Sequence, residues 1–250
     1  MTICEAVKDA THSYLGAIAE IVSEKEGKFE GTGSIIEFGN GVFLITAAHV
    51  VSKIVNCGYH GVAYSNGNKK LYSRAPSHFD SDAALDVAFA RIPRPTQPDS
   101  DRLACPQRLI AASAVGTERD LLFIHGFPGR HSRFFKMTEG IHSTTLPYCS
   151  GPGTPKWAEF DASSHFAISY DPKNSLLPGG GVADLPSPDG LSGAAVWNTR
   201  RSELRETWTP SDARIVGIVH RWDQDGECLI ATRIEKILPF LQRIEERGNR

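Results

Sequence analysis

The chain has 250 residues, a formal net charge of −2, 40% hydrophobic and 22% charged residues. Those proportions exclude a disordered chain and give enough apolar mass for one large domain or two lobes around a sizeable core. The near-neutral charge gives no electrostatic case for nucleic acid or an anionic membrane as partner, and no apolar stretch approaches the roughly 18 residues of a membrane span.

In chain order, the opening "MTICEAVKDATHSYLG" carries Glu5 and Asp9 where a secretory signal would need a basic flank and an unbroken apolar run, so a cytoplasmic location is expected. Residues 5–13 suit a short leading helix. Then come β-rich runs: "GAIAEIV" (16–22), "TGSIIEF" (32–38) and "GVFLIT" (41–46). The last two flank "GNG", a hairpin signal because Asn and Gly tolerate positive φ. "LDVAFARI" (85–92) alternates like a half-buried strand, and the proline-rich stretch near 93–106 reads as a crossing between two lobes. "DLLFIHGF" (120–127), "SHFAISY" (164–170), "GAAVWN" (193–198), "ARIVGIVHRW" (213–222) and "ECLIATRI" (227–234) follow. At the end, "TRIEKILPFLQRIEERG" shows a Thr232/Glu235 capping box and apolar residues at Ile234, Ile237, Leu238, Leu241 and Ile244. Pro239 is expected to split it into a turn and a terminal helix. Many short strands between Gly, Pro and Asp turns predict an all-β sandwich or barrels rather than alternating β–α units.

Five scattered cysteines form no C-x-x-C pair, which argues against a zinc site and for small structural thiols in a reducing compartment. His60, His78, His131, His142 and His165 lie in polar or turn-like surroundings without ligand spacing and read as surface or loop residues.

Three residues stand out at the edges of apolar strands, in the order His, Asp, Ser. "LITAAHVV" reaches an imidazole at His49, Asp86 stands at the mouth of "VAFARI", and Ser192 sits in a glycine-flanked turn, "DGLSGAAVWN". Asp80 and Asp82 compete with Asp86, but neither directly precedes a strand. A buried imidazole or carboxylate costs free energy unless something pairs with it. A serine hydroxyl becomes a nucleophile when an imidazole takes its proton, and the imidazole needs a carboxylate on its other nitrogen. The backbone N–H groups of Gly190 and Ser192 are the candidate oxyanion hole.

"TAAHVV", "LDVAFARI" and "DGLSGAAVW" together resemble the trypsin-like serine peptidases, specifically the bacterial, disulfide-free members. "FIHGFPG" and "IVGIVHRW…ECLIATRIEKIL" extend the likeness over roughly residues 15 to 245. The resemblance implies two antiparallel six-stranded β-barrels with the active site in the cleft between them, plus short N- and C-terminal helices. It divides the chain into an N-terminal extension (1–14), a first barrel with His49 and Asp86 (15–112), a second with Ser192 (113–233) and a terminal helix (234–250). It implies a Ser-His-Asp endopeptidase acting on an intracellular protein or peptide, with no metal or organic cofactor and no nucleic-acid or membrane partner. By the same mapping Pro186 lies at the base of the primary pocket, and His220, Arg221 and Trp222 supply its wall. Because Pro186 carries no charge, strict cleavage after Arg or Lys is not expected, unless a shifted loop brings Asp184 or Asp189 to the pocket.

The departures are specific. Leu191 replaces the Asp that receives a new N-terminus in animal digestive members, so that activation route is excluded. Val50 stands where a Cys usually follows the histidine, and Ala194 and Ala195 replace a second Gly and a Pro. Control is therefore expected in the cleft, through the Gly/Pro-rich stretch 178–190, ordered by a substrate or a regulatory protein partner, with either loop disorder or a misoriented Gly190 amide in the free chain. An α/β-hydrolase fails because G-x-S-x-G breaks at Ala194 and no helix pattern follows Ser192. A catalytically inactive trypsin-like module used for protein binding stays open, since Asp at a strand end and Ser in a Gly turn also occur for structural reasons.

Overall fold

The computed structural model describes residues 2–23, 26–54, 60–64, 71–73, 78–93, 104–129, 132–135, 140–143, 145–173, 175–176 and 182–248. One antiparallel sheet takes β1 (Leu15–Ser23), β2 (Glu26–Phe38), β3 (Gly41–Thr46), β4 (His60–Tyr64), β5 (Leu71–Ser73), β6 (Asp80–Asp82) and β7 (Val87–Ile92), in the order β5-β4-β1-β2-β3-β7-β6. The second uses β8 (Leu122–Gly126), β11 (Leu146–Ser150), β12 (His165–Ser169), β15 (Ala195–Asn198), β16 (Arg214–Asp223) and β17 (Cys228–Arg233), ordered β11-β8-β15-β16-β17-β12. Two hairpins stand apart, β9 (Ser132–Phe135) with β10 (Gly140–Ser143) and β13 (Ser175–Leu176) with β14 (Val182–Ala183). Among the described residues the α-helices are α1 (Ile3–Thr11), α2 (Ala48–Ile54), α3 (Arg201–Leu204) and α4 (Ile234–Gly248).

Thus the chain is predominantly β, with two antiparallel sheets and short terminal helices. The first sheet has seven strands instead of the expected six. Its edge strand β6 is the polar triplet Asp80-Ser81-Asp82, which has no apolar alternation to announce it. The "GNG" hairpin forms as expected, with Phe38 paired to Gly41 across Gly39 (φ 55°) and Asn40. Most of the proline-rich crossing lies outside the described residues.

The period of two along each strand explains the core. On β3, Phe43 and Ile45 enter a central cluster, while Val42 and Leu44 enter a cluster of the first sheet's own. On β15, Ala195 and Trp197 join the same central cluster and Val196 joins that of the second sheet. The central cluster also takes Val7 from α1 and Ile234, Ile237, Leu241 and Ile244 from α4, so both terminal helices seal the junction between the sheets.

Three helix details differ from the sequence expectation, the first being that α1 spans Ile3–Thr11 rather than residues 5–13. The α1 cap is Thr2, whose hydroxyl accepts Glu5 N–H while the Glu5 carboxylate accepts Thr2 N–H. The anticipated Thr232/Glu235 box does not form, because Thr232 is still in β17 and donates to the Leu85 carbonyl at 2.8 Å. Glu235 instead accepts Ala114 N–H at 2.8 Å. Nor does Pro239 split the helix, which runs unbroken through it. Burying four Ile or Leu side chains is worth about 1.5–3 kcal/mol each, against roughly 3 kcal/mol for an interior proline. Since Pro239 is exposed, Pro239→Ala should raise stability by about 1–3 kcal/mol, read as a higher urea midpoint. A lower midpoint would contradict this account of the helix.

Candidate active site

His49 does not end β3, as its sequence context suggested. The strand stops at Thr46, Ala47 is buried, and the chain turns into α2, with His49 in the first turn. Val50, Val51 and Ile54 bury the inner face of this short helix and so fix the imidazole at the rim of the cleft. Asp86 closes the turn before β7. The Asp82 carboxylate shapes that turn by accepting Ala84 N–H and Leu85 N–H at 3.0 and 3.1 Å. Asp86 itself takes φ 47°, a left-handed conformation that Asp tolerates better than most residues. Its Oδ1 accepts His49 N–H at 2.9 Å and its Oδ2 meets His49 Nδ1 at 2.7 Å. A second imidazole approaches, His220 Nδ1, at 3.6 Å from the same Oδ2.

Burial alone would raise the Asp86 pKa, but the His220 and His49 side chains and His49 N–H outweigh it and hold the carboxyl well below the usual carboxylate range. The ionised carboxylate is therefore favoured more in the folded than in the unfolded chain. Its stabilisation is fully present above the unfolded titration near about 3.9 and is lost as pH falls below that toward the native value. Asp86→Asn, which keeps the left-handed turn accessible, should lower Tm at neutral pH. The gap from the parent should narrow steadily below about pH 4. A gap that stays constant down to pH 2 would contradict the assignment.

Ser192 sits in a tight turn between Pro188 and Ala194. Leu191 N–H donates to Pro188 O, Gly193 N–H to Val219 O and Ala194 N–H to Leu191 O. Gly190 N–H and Ser192 N–H, by contrast, have no acceptor among the described residues. Gly190 takes φ 94°, as the third residue of a type II turn requires. The Asp189 carbonyl accepts Gly129 N–H at 2.6 Å, so in this trans peptide the Gly190 N–H points the opposite way. Residues 177–181, including the three consecutive glycines, lie outside the described residues. Leu191 is fully buried in the second sheet's cluster, where no ion pair could form. The Ser192 hydroxyl turns toward the His220 carbonyl at 3.5 Å, and His49 Nε2 has no partner among the described residues.

Sequence reasoning missed the residues that join β2 to this turn. Thr32, fully buried, donates its hydroxyl to Gly190 O at 2.7 Å and accepts Phe127 N–H at 2.9 Å. Its N–H donates to Ser192 O at 2.9 Å, and its carbonyl accepts the Thr46 hydroxyl at 2.8 Å. Two residues on, the Ser34 hydroxyl donates to Gly193 O and accepts Ala195 N–H. The available signal was a hydroxyl at i and i+2 in a glycine-rich strand, "GTGS", placing both on one face.

His49, Asp86, Gly190 and Ser192 line one cleft of about 580 Å³, which Asp189, His220, Arg221 and Trp222 also line. Pro186 is not among its lining residues; its carbonyl accepts the buried Tyr170 hydroxyl at 2.7 Å. Arg221 is exposed, with its guanidinium 4.6 Å from the centre of the Trp157 ring. The expected loop role of His165 is also corrected: it is buried on β12, with its ring 5.1 Å from that of His220. His78 is exposed, whereas the side chains of His60, His131 and His142 lie outside the described residues. Among the described residues no group of three or more His, Cys, Asp or Glu is placed to hold a metal ion, and no helix is long and apolar enough to cross a membrane.

No family model and no curated protein matches the sequence. Solved structures do match. The HtrA-type protease AlgW, solved with a tripeptide, aligns with a TM-score of 0.57 at 14% identity over 98% of this chain and 64% of that one. A serine endoprotease from Yersinia pestis gives 0.58 at 13% identity over 99% and 68%. Rv3671c from Mycobacterium tuberculosis, in a serine-to-alanine mutant and inactive form, gives 0.51 at 17% over 96% and 90%. The likeness is one of fold, and the fold is that of the trypsin-like serine peptidases. This chain spans about two thirds of the AlgW and Yersinia chains.

Proposed function

We propose that the protein is a serine endopeptidase in which Ser192 is the nucleophile, His49 the general base and Asp86 the carboxylate that orients it, at a cleft between two barrel-like lobes. The observation that carries this reading is the pairing of His49 with Asp86 in one cleft with the Gly190 and Ser192 amides, which have no acceptor among the described residues. A rotation about the Ser192 Cα–Cβ bond turns the hydroxyl from the His220 carbonyl toward His49 Nε2. The oxygen then attacks the peptide carbonyl carbon as its proton passes to Nε2. The Gly190 and Ser192 N–H groups receive the carbonyl oxygen as it becomes an oxyanion. His49 returns the proton to the leaving amine, and water hydrolyses the acyl-enzyme by the same route in reverse order.

The substrate class is a protein or peptide. Because Pro186 is outside the cleft lining, the side-chain preference rests instead on Asp189, Arg221 and Trp222. A second reading, a non-catalytic binding module, draws on the Ser192 hydroxyl facing His220 O instead of His49. A serine-reactive phosphonate separates the two: labelling of the parent chain that disappears in Ser192→Ala supports the peptidase. Absence of labelling across neutral and mildly alkaline pH supports the module.

A further inference from the structure

A three-residue scheme leaves the second imidazole on Asp86 without a role. His220 lies where β16 bulges: the pairing with β17 jumps from Val219–Ala231 to Arg221–Ile230, and His220 has no cross-strand partner. Its side chain therefore turns inward, only 4% exposed, with Nδ1 3.6 Å from Asp86 Oδ2. The ring is enclosed by His165 at 5.1 Å and Trp157 at 5.8 Å between centroids. Its Nε2 is buried with no hydrogen-bond partner. An N–H at that buried position would be unsatisfied, so the cage suits the tautomer with its proton on Nδ1, toward Asp86. The 3.6 Å separation is beyond hydrogen-bond range, and catalytic hydrogen bonds are often long without substrate and tighten only in its complex.

We propose that His220 is a positioning residue for Asp86: it donates its Nδ1 proton to Oδ2 from the second sheet and fixes the orientation in which the carboxylate meets His49. The proposal rests on the peptidase reading above. It adds to the pocket-wall role expected for His220, which lines the cleft beside Arg221 and Trp222, a contact of its ring with the carboxylate. The charged and titratable groups facing it are Asp86 and His49 from the first sheet, His165 on β12 with Asp161 and Arg233 beside it, and Arg221 next along β16.

Two substitutions separate the N–H from the ring. His220→Phe keeps an aromatic in the cage and removes the donor. His220→Asn places an amide N–H near the position of Nδ1 and removes the ring. Phosphonate labelling rates of the folded variants, followed across pH, are the readout, with the low-field proton resonance of the His49–Asp86 hydrogen bond as a second. For His220→Phe, labelling should slow about 10- to 100-fold, the loss of a hydrogen bond to a charged group. Its acid limb should move to higher pH, because a carboxylate freed of its second donor turns its whole charge on His49, and the low-field resonance should broaden or shift. His220→Asn should keep the parental limb and resonance. A His220→Phe profile superimposed on the parent, or impairment in His220→Asn alone, would overturn the positioning role and leave the peptidase reading intact. Failure of the parent chain to label at any pH would overturn both.

Discussion

Ser192→Ala is expected to lower peptide hydrolysis by about a millionfold, the removal of roughly 8 kcal/mol of transition-state stabilisation. His49→Ala should cost about as much, and the double substitution no more than either alone. The reason is that an unactivated hydroxyl and a base without a nucleophile are equally idle. Asp86→Asn should fall less, by about 10⁴-fold, because the imidazole survives but loses the acceptor that fixes its tautomer. The Gly190 and Ser192 amides remain in every one of these variants, so a residue of rate above uncatalysed hydrolysis should persist in all of them. Initial rates on a quenched-fluorescence peptide library, with circular dichroism to confirm folding, are the measurement. A Ser192→Ala protein that retains the parental rate would end the assignment, and additive losses in the double variant would show that the two residues do not act together.

What could be read from the residues was whatever had a local signature. His49, Asp86 and Ser192 are polar groups at the margins of apolar runs, and the strands through 41–46, 87–92 and 195–198 are apolar on both faces because each face meets a different cluster. Strands that are short or polar, such as Leu71–Ser73 and Asp80–Asp82, carry too few apolar positions to show a period. Thr32 was invisible for another reason: in isolation it is a good β-former, and its four hydrogen-bond partners include residues as distant as Gly190 and Ser192. The same long-range pull defeated the capping box at Thr232, whose hydroxyl finds Leu85 O across 147 residues. At Pro239 the local rule was sound but smaller than the burial on the opposite face of the helix. Pro186 was mapped by counting positions back from Ser192; its carbonyl is held by the buried Tyr170 hydroxyl, and it is not among the residues lining the cleft of His49 and Ser192.

Gly193→Ala should be the most destabilising single methyl addition near the site. Gly193 takes φ 93°, where an L side chain alone costs about 1–2 kcal/mol. A Cβ there would also overlap the Thr32 carbonyl oxygen and the Thr46 hydroxyl. Neither neighbour can retreat cheaply, because Thr46 Oγ1 donates to that carbonyl and Thr32 N–H holds Ser192 O. Gly193 is itself fixed by its own N–H on Val219 O and by the Ser34 hydroxyl on its carbonyl. The strain must therefore break part of the network joining the two sheets, and a loss above about 4 kcal/mol is expected. Against a total stability of about 5–15 kcal/mol, that leaves a chain either largely unfolded or folded with a displaced nucleophile turn. Gly151→Ala is the matched control: nothing lies within 4 Å of a Cβ at that site, so its stability should change by no more than about 0.5 kcal/mol. Urea unfolding of the two variants, with phosphonate labelling of whatever remains native, measures the difference. Coincident midpoints would mean that the contact between β2 and the nucleophile turn is looser than its hydrogen bonds require.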